Sequence, residues 1–346
     1  MIETALHAHL AARGAAHGDD RGVALPLRFG DPAVEYRALR EAAAVVDLGF
    51  RTIVAATGDD RAAFLQGMLT NDVAGLAPGA GCRALLLTIQ GRVVADVRVV
   101  ATPEALLLDV DVRVRDACVA ALEKLVIADD VTLAAPADPV TLIGVEGPGA
   151  AALLDVTLDD GAHVVRPVDG VDVRVVRASE VGGPGLVLHV PASAAPRVWD
   201  ALVARGAVPC GMEAVEGRRV EVGVPRIGLD MDEQVLALEV PVEDAISSSK
   251  GCYLGQEVIA RGTARGHVNR RLTPLLLEGP LPPHDAPLVR DGKEVGRLTT
   301  VAHAFGLGAP VALGFVRREH REPGTELAVR AGHAVTLARV AAWPLA

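Results

Sequence analysis

Lysine, aromatic residues and long apolar runs are all scarce in this chain. Only three of its 34 basic residues are lysines, and aromatic residues make up 3% of its 346 positions. No apolar run reaches the roughly 20 residues that a membrane-spanning helix needs. The first residues carry His7, His9 and Arg13 among alanines and lack the charged-then-apolar pattern of an export signal. We therefore expect a cytoplasmic protein without a membrane partner.

Cysteine is also rare, and the cysteines do not form sequence pairs. The chain has four of them and no C-x-x-C motif. In a long chain without an export signal, isolated cysteines are expected to be free thiols. Their spacing fits no common metal-binding pattern, so we predict no metal site. The four residues are Cys82, Cys118, Cys210 and Cys252.

Positive charge is in deficit, because the formal net charge is −10 at pH 7. A protein that binds a nucleic-acid backbone needs a positive surface to displace counterions from the phosphates. The composition therefore argues against a nucleic acid as the main partner. A local basic pocket for a small anionic ligand stays compatible with it.

The residues that are rare elsewhere cluster in one stretch, S-S-S-K-G-C-Y-L-G-Q-E at 247–257. A lysine is not interchangeable with arginine, because its compact ammonium shifts its pKa readily when buried. We interpret the stretch as a candidate functional loop. An ordinary glycine-rich turn that leads into a short helix, with cysteine as a small core residue, fits the same spacing. Within eight residues the stretch places an ammonium, a thiol, a phenol, an amide and a carboxylate: Lys250, Cys252, Tyr253, Gln256 and Glu257.

Hydrophobic patterning predicts a mixed fold. Apolar residues recur at helical spacing from Val34 to Val46, which predicts one continuous helix there. Strand-like and helix-like segments then mix without the regular alternation of a parallel sheet, so we predict the α+β class with antiparallel sheets. After Arg271, strand-length apolar runs alternate with Gly and Pro turns. This pattern predicts an all-β module of about 75 residues, a small barrel or jelly roll.

The segment K-G-C-Y-L-G-Q-E at 250–257 resembles the K-G-C-Y-x-G-Q-E signature of the YgfZ family, folate-binding proteins of iron–sulfur cluster biogenesis. From about residue 33 to about residue 340 the chain is similar to the relatives of that family, the aminomethyltransferases (T-proteins) of the glycine cleavage system. Further similar segments occur in the family's order. They are F-L-Q-G-M-L-T-N-D-V at 64–73, G-R-V at 91–93, P-C-G at 209–211, R-V-E-V-G at 219–223 and V-A-L-G-F-V at 311–316.

The resemblance implies a T-protein-like cloverleaf of three modules around a central opening that admits a folate. Residues 1–51 and 136–270 would form a discontinuous folate-binding domain. Residues 52–135 would form an inserted α+β domain, and residues 271–346 a C-terminal β-barrel that closes the third side. The implied cofactor is tetrahydrofolate or a one-carbon derivative of it.

The resemblance also implies residue roles. Glu221 would accept charge-assisted hydrogen bonds from the pterin edge. Cys252 would be the functional thiol, and Lys250 would favour its thiolate form. Lys250 is also a candidate cation for the anionic glutamate tail of the folate. The other expected folate-binding residues are Asp109, Asn71, Arg226, Tyr253, Gln256 and Arg261.

Two departures from the T-protein pattern bear on activity. The adjacent acids of the T-proteins become Ala95 and Asp96 here, and a methyl group cannot move a proton. The Y-T-G-E loop becomes E-V-G-G at 180–183 and loses its last acid. We therefore predict a tetrahydrofolate-binding accessory protein for iron–sulfur cluster assembly or repair, with assembly proteins or cluster enzymes as partners. The alternatives are a folate-dependent aminomethyl or one-carbon transferase, and a scaffold whose folate pocket has decayed.

Overall fold

The N-terminal segment forms a small sheet and begins a larger one. The computed structural model describes residues 1–266, 268–331 and 334–345. A three-stranded sheet has the order β1-β3-β2, and β4 belongs to the central sheet of the molecule. The elements are β1 (Ile2–Glu3), α1 (His7–Ala11), β2 (Ala16–Asp20), β3 (Val23–Arg28), α2 (Pro32–Glu41) and β4 (Ala44–Asp47).

The predicted helix from Val34 to Val46 is wrong in its second half, because α2 ends at Glu41 and β4 follows. Alternate residues of this apolar run face opposite sides of the sheet. Val45 packs into the core beneath the central sheet, whereas Val46 packs into the core on its other side. A strand buried on both faces is continuously apolar, and such a run resembles a buried helix in sequence.

An inserted α+β unit follows β4. Its five strands form a sheet with the order β6-β7-β8-β5-β9, and both helices pack on one face of it. The opposite face of this five-stranded sheet lies on the side of the central sheet. The elements are β5 (Arg51–Thr57), α3 (Arg61–Met68), β6 (Gly81–Leu87), β7 (Val93–Ala101), β8 (Leu106–Asp111), α4 (Arg115–Glu123) and β9 (Thr132–Ala134).

The chain then returns to complete the central sheet, whose six strands have the order β11-β12-β13-β10-β4-β14. The pair β4–β14 is parallel, as is β1–β3, so these sheets are mixed where the sequence predicted antiparallel ones. The elements are β10 (Val140–Glu146), α5 (Ala150–Leu153), β11 (His163–Val168), β12 (Val171–Val176), β13 (Gly185–Pro191), α6 (Ala195–Ala204), β14 (Val208–Cys210), α7 (Met212–Val222) and α8 (Gln256–Arg265).

The C-terminal segment forms a closed, six-stranded barrel with the order β15-β18-β17-β16-β19-β20. Every neighbouring pair of strands in it is antiparallel, and small and branched apolar side chains fill its interior. The predicted α+β class with a C-terminal barrel is therefore confirmed. The strands are β15 (Arg270–Glu278), β16 (Pro287–Arg290), β17 (Lys293–Ala304), β18 (Ala309–Arg317), β19 (Glu326–Ala331) and β20 (Ala334–Val340).

A buried polar network joins α7 to the barrel. Arg219 is fully buried, and its guanidinium donates to Asp230 (2.8 Å) and to Thr300 on β17 (2.9 Å). Asp230 also accepts from Thr299 and Thr300. Buried charges are tolerated when they are paired and hydrogen-bonded, so this network fixes the barrel against α7. None of the described helices is long and apolar enough to cross a membrane.

Candidate functional site

A cavity of about 860 Å³ lies between the inserted sheet and the central sheet. Its walls come from the free face of β6 and β7, from the loop after β12 (residues 177–184) and from the segment after α7 (222–227). Among the described residues, none from the barrel lines it. The opening expected between three modules is therefore bounded by two of them. Its volume is within the range of small-molecule sites.

Strand alternation explains why the cavity wall is charged. On β7, Ala95 and Val97 point into the core under α3 and α4, whereas Asp96 and Arg98 point to the cavity side. The sequence V-V-A-D-V-R-V-V encodes both faces, since successive side chains of a strand point in opposite directions. Arg83 of β6 and Asp111 of β8 lie on the same charged face.

Asp109 lies behind the cavity wall, where two arginines bind it. It is almost fully buried and accepts from the Nε of Arg51 (2.6 Å) and the Nη1 of Arg98 (3.2 Å). Both arginines line the cavity, so Asp109 acts on it through them. Burial would lower the pKa of Arg98, but the charges of Glu180 and Asp109 outweigh burial and hold that pKa above its usual value.

Glu180 brings a carboxylate from the central module into this network. It is 8% exposed, lines the cavity and accepts from the Nη2 of Arg98 at 2.6 Å. Burial favours its neutral form, yet the charges of Arg98 and Arg51 outweigh burial and keep the pKa of Glu180 below its ordinary value. Glu180 is therefore an ionised acceptor at the cavity wall.

Asp96 is an acid of β7 that lines the cavity. It accepts two hydrogen bonds from Arg83, each at 2.9 Å, and Arg83 reaches on to Asp244. Burial alone would raise the pKa of Asp96, but the charge and hydrogen bonds of Arg83 lower it below the usual value. A bidentate pair of this kind is strong and geometrically fixed.

The placement of Ala95 and Asp96 corrects one interpretation of the sequence. We expected the acid beside the folate to be replaced by Ala95. In the structure Ala95 is fully buried in the core of the inserted unit, where an acid would be costly, and Asp96 lines the cavity. The chain therefore keeps an inward acid on this strand.

Two arginines form the rest of the cationic wall. Arg226 lies over the ring of Phe50 at 4.7 Å and donates to Glu216 (2.5 Å) and Asp20 (2.7 Å). Arg177 donates to the carbonyl of Gly185 and is 3.6 Å from the carboxylate of Asp160, which is 98% exposed. Because a solvated carboxylate screens a cation weakly, Arg177 is the less neutralised of the two.

Glu221, predicted to face the pterin, is not among the described residues that line the cavity. It is fully buried and accepts from the hydroxyl of Tyr36 (2.5 Å), from Arg218 (3.3 Å) and from the backbone N–H of Gly306 (3.1 Å). Gly306 lies in the turn between β17 and β18 of the barrel. The carboxylate thus joins α2, α7 and the barrel.

Lys250 binds the end of a helix. Its Nζ donates to the carbonyls of Gln66 (2.6 Å), Leu69 (2.6 Å) and Asn71 (2.8 Å), at the C-terminus of α3. These three bonds use all three ammonium hydrogens. A cation here satisfies orphan carbonyls and opposes the negative end of the helix dipole. Burial lowers the pKa of Lys250.

Two cysteines lie in this region with different surroundings. Cys82 lines the cavity, and burial raises the pKa of its thiol to about 11 against the opposing charge of Lys250. That thiol is therefore protonated at neutral pH. Cys252 is exposed at the surface, and in the described part of the chain it does not line the cavity.

The rest of the 247–257 loop docks against the inserted unit. The N–H of Leu254 donates to the carbonyl of Gly67 in α3. Gly255 has φ of 81°, and a side chain there would collide with the carbonyl of Thr88 at the β6–β7 hairpin. Gln256 caps its own turn by accepting from the N–H of Tyr253. The loop's rare residues thus hold two modules together.

The nine predicted site residues therefore separate into groups. Asn71 and Arg226 line the cavity, and Asn71 donates to the carbonyls of Arg83 (2.8 Å) and Asp244 (3.1 Å). Asp109 supports the wall from behind. Arg261 is exposed on α8, where it pairs with Glu257. The other six predicted residues are not among the described residues that line the cavity: Glu221, Lys250, Cys252, Tyr253, Gln256 and Arg261.

Sequence reasoning missed most of the wall, including residues that carry its charge. The available signal was alternation, since charged residues two apart within apolar strands share one face. Asp96 and Arg98 fit it, and so do Asp109 and Asp111. Glu180 had no such signal, because it lies in a loop that only the fold brings to the cavity. The missed lining residues include Phe50, Arg51, Cys82, Arg83, Arg98, Asp111, Asp160, Arg177, Glu180 and Asp244.

Replacing Lys250 with methionine is expected to destabilise the protein by about 1–2 kcal/mol, because three carbonyls at the end of α3 lose a charged donor in a half-buried site. Urea denaturation followed by circular dichroism measures this. Lys293→Met, at an exposed barrel position, is the matched control and should change stability by less than about 0.5 kcal/mol. Equal losses in the two variants would contradict the capping role.

Comparisons with known proteins agree with this architecture. The model of the GCVT N-terminal domain matches residues 6–250, and that of the glycine cleavage T-protein C-terminal barrel domain matches residues 270–345. The chain is 27% identical over 341 residues to the aminomethyltransferase of Bacillus subtilis, covering 94% of each protein. It is 32% identical over 322 residues to the probable aminomethyltransferase of Natronomonas pharaonis, covering 89% of this chain and 88% of that protein.

A solved structure shows the same fold. The crystal structure of glycine cleavage system aminomethyltransferase T from Bartonella henselae matches with a TM-score of 0.88. The match covers 99% of this chain and 98% of that one at 21% sequence identity. At this identity the likeness establishes the shared fold, and the side chains of the cavity have to be considered on their own.

Proposed function

Because this chain belongs to the glycine cleavage T-protein family, we propose that it binds tetrahydrofolate, or a one-carbon derivative of it, in the cavity between the inserted and central sheets. One observation carries the proposal. The cavity is lined by carboxylates, by arginines and by Phe50, whose ring is 2% exposed and lies beneath Arg226. A folate has a flat heterocycle with N–H donors at one end and carboxylates at the other, so it needs all three kinds of partner.

Specific residues fit each part of this ligand. Glu180, which is ionised and 8% exposed, suits the donor edge of a pterin through charge-assisted hydrogen bonds. Phe50 lies beneath Arg226 and forms an apolar backing to this part of the wall. Arg177 suits the glutamate tail, because it is the wall cation paired only with an exposed carboxylate in the described part of the chain. Arg51 and Arg98 orient Glu180 rather than meeting the ligand's charge.

We propose that the bound folate serves an accessory role in iron–sulfur cluster assembly or repair. The resemblance of residues 250–257 to the YgfZ signature supports this role. So does the state of two acids that line the cavity, Asp96 and Glu180, since both are ion-paired and held ionised. An efficient general acid or base has a pKa near the working pH, and neither carboxylate does.

Folate-dependent aminomethyl or one-carbon transfer is the second candidate. Two observations favour it: Asp96 keeps an acid on the cavity side of β7, and relatives that match nearly the whole chain are named aminomethyltransferases. The folate would supply the one-carbon group, and Asp96 would hold a cationic amine near it. Turnover of methylene-tetrahydrofolate with candidate amines tests this directly.

The binding proposal predicts a defined role for Arg177. Calorimetric titration should give saturable binding of tetrahydrofolate, and Arg177→Gln should weaken it about tenfold by removing a charged donor. Tetrahydropteroate, which lacks the glutamate tail, should bind both proteins equally. Arg205→Gln, at an exposed position on the end of α6, is the control and should leave both affinities unchanged.

Several results would contradict these proposals. Absence of saturable folate binding by the wild-type protein would reject the cavity as a folate site. An equal loss of tetrahydropteroate affinity in Arg177→Gln would show that Arg177 does not bind the glutamate tail. For the accessory role, a strain whose only copy carries Cys252→Ala should show reduced activity of iron–sulfur enzymes, and normal activities would reject that role for the thiol.

A further inference from the structure

A fully buried acid, Glu146, lies at the end of β10 behind the loop that carries Glu180. Its Oε1 accepts from the backbone N–H of Glu180 (2.8 Å), and its Oε2 accepts from the hydroxyl of Ser179 (2.7 Å). The same hydroxyl oxygen accepts from the N–H groups of Val181 (3.1 Å) and Gly183 (3.3 Å). Glu146 therefore anchors the hydrogen-bonded turn at residues 179–183.

The donor pattern fixes which form of Glu146 fits. The oxygen of Ser179 is occupied by two N–H donors, so its own proton has to point at Glu146. Both carboxylate oxygens of Glu146 then receive a donor, which is the pattern of an ionised group. Gly185 of β13 packs so closely that a Cβ there would overlap Oε2, which leaves little space for rearrangement.

We propose that Glu146 is a positioning residue whose ionised carboxylate holds the loop at 179–185 so that Glu180 faces the cavity. Ligand affinity then follows the ionisation state of Glu146, although Glu146 itself does not touch the ligand. This inference rests on the proposed folate site, because the loop forms one wall of that cavity. It adds a pH response to the binding function.

The surroundings of Glu146 set the pH range. Burial raises the pKa of Glu146 to about 7, while the hydrogen bonds from Glu180 and Ser179 oppose that rise. The charged and titratable groups that face it are the carboxylate of Glu180, the guanidinium of Arg98 from β7 and the thiol of Cys210 from β14. Of these, Glu180 stays ionised and Cys210 stays protonated through neutral pH.

The direction in which ligand affinity changes with pH follows from proton uptake by Glu146. Below pH 7 Glu146 gains a proton, so one acceptor becomes a donor that opposes the hydroxyl of Ser179, and the turn loosens. Binding should therefore tighten as the pH rises through about 7. Folding stability responds in the opposite direction, because a carboxyl whose folded pKa lies above its unfolded value loses its stabilising contribution as the pH rises.

The test measures tetrahydrofolate affinity by calorimetry from about pH 6 to about pH 8.5. The wild-type protein should bind about tenfold more tightly at the upper end, as expected for regaining one charge-assisted hydrogen bond. Glu146→Gln should bind weakly with no dependence on pH. Asp47→Asn is the matched control, because Asp47 is an equally buried acid on the adjacent strand β4 whose pKa burial raises to about 6. It should keep the wild-type pH profile.

A second measurement does not need the ligand. Hydrogen exchange of the peptide spanning residues 177–186, corrected for intrinsic rates, should show protection that rises with pH in the wild-type protein and stays low in Glu146→Gln. If the Gln variant fails to fold, Ser179→Ala should show the same low, flat protection. Protection that changes with pH in the variants, or does not change in the wild-type protein, would overturn the inference. Correct exchange behaviour without folate binding would instead reject the proposed function alone.

Discussion

Replacing Arg98 with methionine is expected to lower the free energy of unfolding by about 3–5 kcal/mol, because it leaves two buried carboxylates with Arg51 as the one cation between them among the described residues. Asp109 is 1% exposed and Glu180 is 8% exposed, and Arg98 binds both. Methionine fills a similar apolar volume, so the loss reflects unpaired charge more than a cavity. Urea denaturation monitored by circular dichroism measures the change.

A double-mutant cycle measures the coupling between Arg98 and Glu180. Adding Glu180→Gln to Arg98→Met should recover about 1–3 kcal/mol, since the second change leaves Arg51 with a single buried carboxylate, Asp109, to pair. Arg197→Met is the control, because Arg197 forms an ion pair with Asp169 in which both side chains are more than half exposed. Such pairs contribute about 0–1 kcal/mol. Additive losses in the double mutant would show that Arg98 and Glu180 are not coupled.

The fold was largely predictable because its signals are local. Strand-length apolar runs separated by Gly and Pro turns are typical of a small barrel, and β15 to β20 form one. The helix prediction failed at β4 because the signal there was not local. Ala44 to Asp47 are buried on both faces of the central sheet, so the two-residue period that marks a strand disappears from the sequence.

The site was less predictable because it depends on which distant segments meet. The alternation of Asp96 and Arg98 with apolar neighbours shows that one face of β7 is charged, but sequence alone cannot say what that face meets. Glu180 is brought opposite Arg98 only by the packing of the central sheet on the inserted sheet. Pairing partners 82 residues apart leave no periodic pattern to detect.

Rare residues in the 247–257 loop proved informative about contacts rather than about the cavity. Lys250 binds the end of α3, and Gly255 is required where the loop passes the β6–β7 hairpin. These contacts connect the loop to the two strands, β6 and β7, that carry Arg83 and Asp96 in the cavity wall. The loop therefore helps to place the inserted sheet that forms one cavity wall, and Cys252 is exposed at the surface.

Glu221 and Glu180 provide the sharpest test of where a pterin edge binds. Sequence resemblance assigns that role to Glu221, whereas our proposal assigns it to Glu180, which lines the cavity. Glu221→Ala is expected to cost about 3–5 kcal/mol of unfolding free energy, because it leaves Tyr36, Arg218 and the N–H of Gly306 without their shared acceptor. Glu221→Gln keeps the shape and one acceptor oxygen, so it should fold well enough for binding measurements.

The two Gln variants should differ in tetrahydrofolate affinity. Glu180→Gln loses the charge that a pterin edge would use and should bind about 10–100-fold more weakly, the range for a hydrogen bond to a charged group. Glu221→Gln should stay within about twofold of the wild-type protein, because its carboxylate is enclosed by α2, α7 and the barrel turn. The opposite order, with Glu221→Gln folded but unable to bind, would restore Glu221 as the pterin contact and require the barrel turn to move away when the ligand enters.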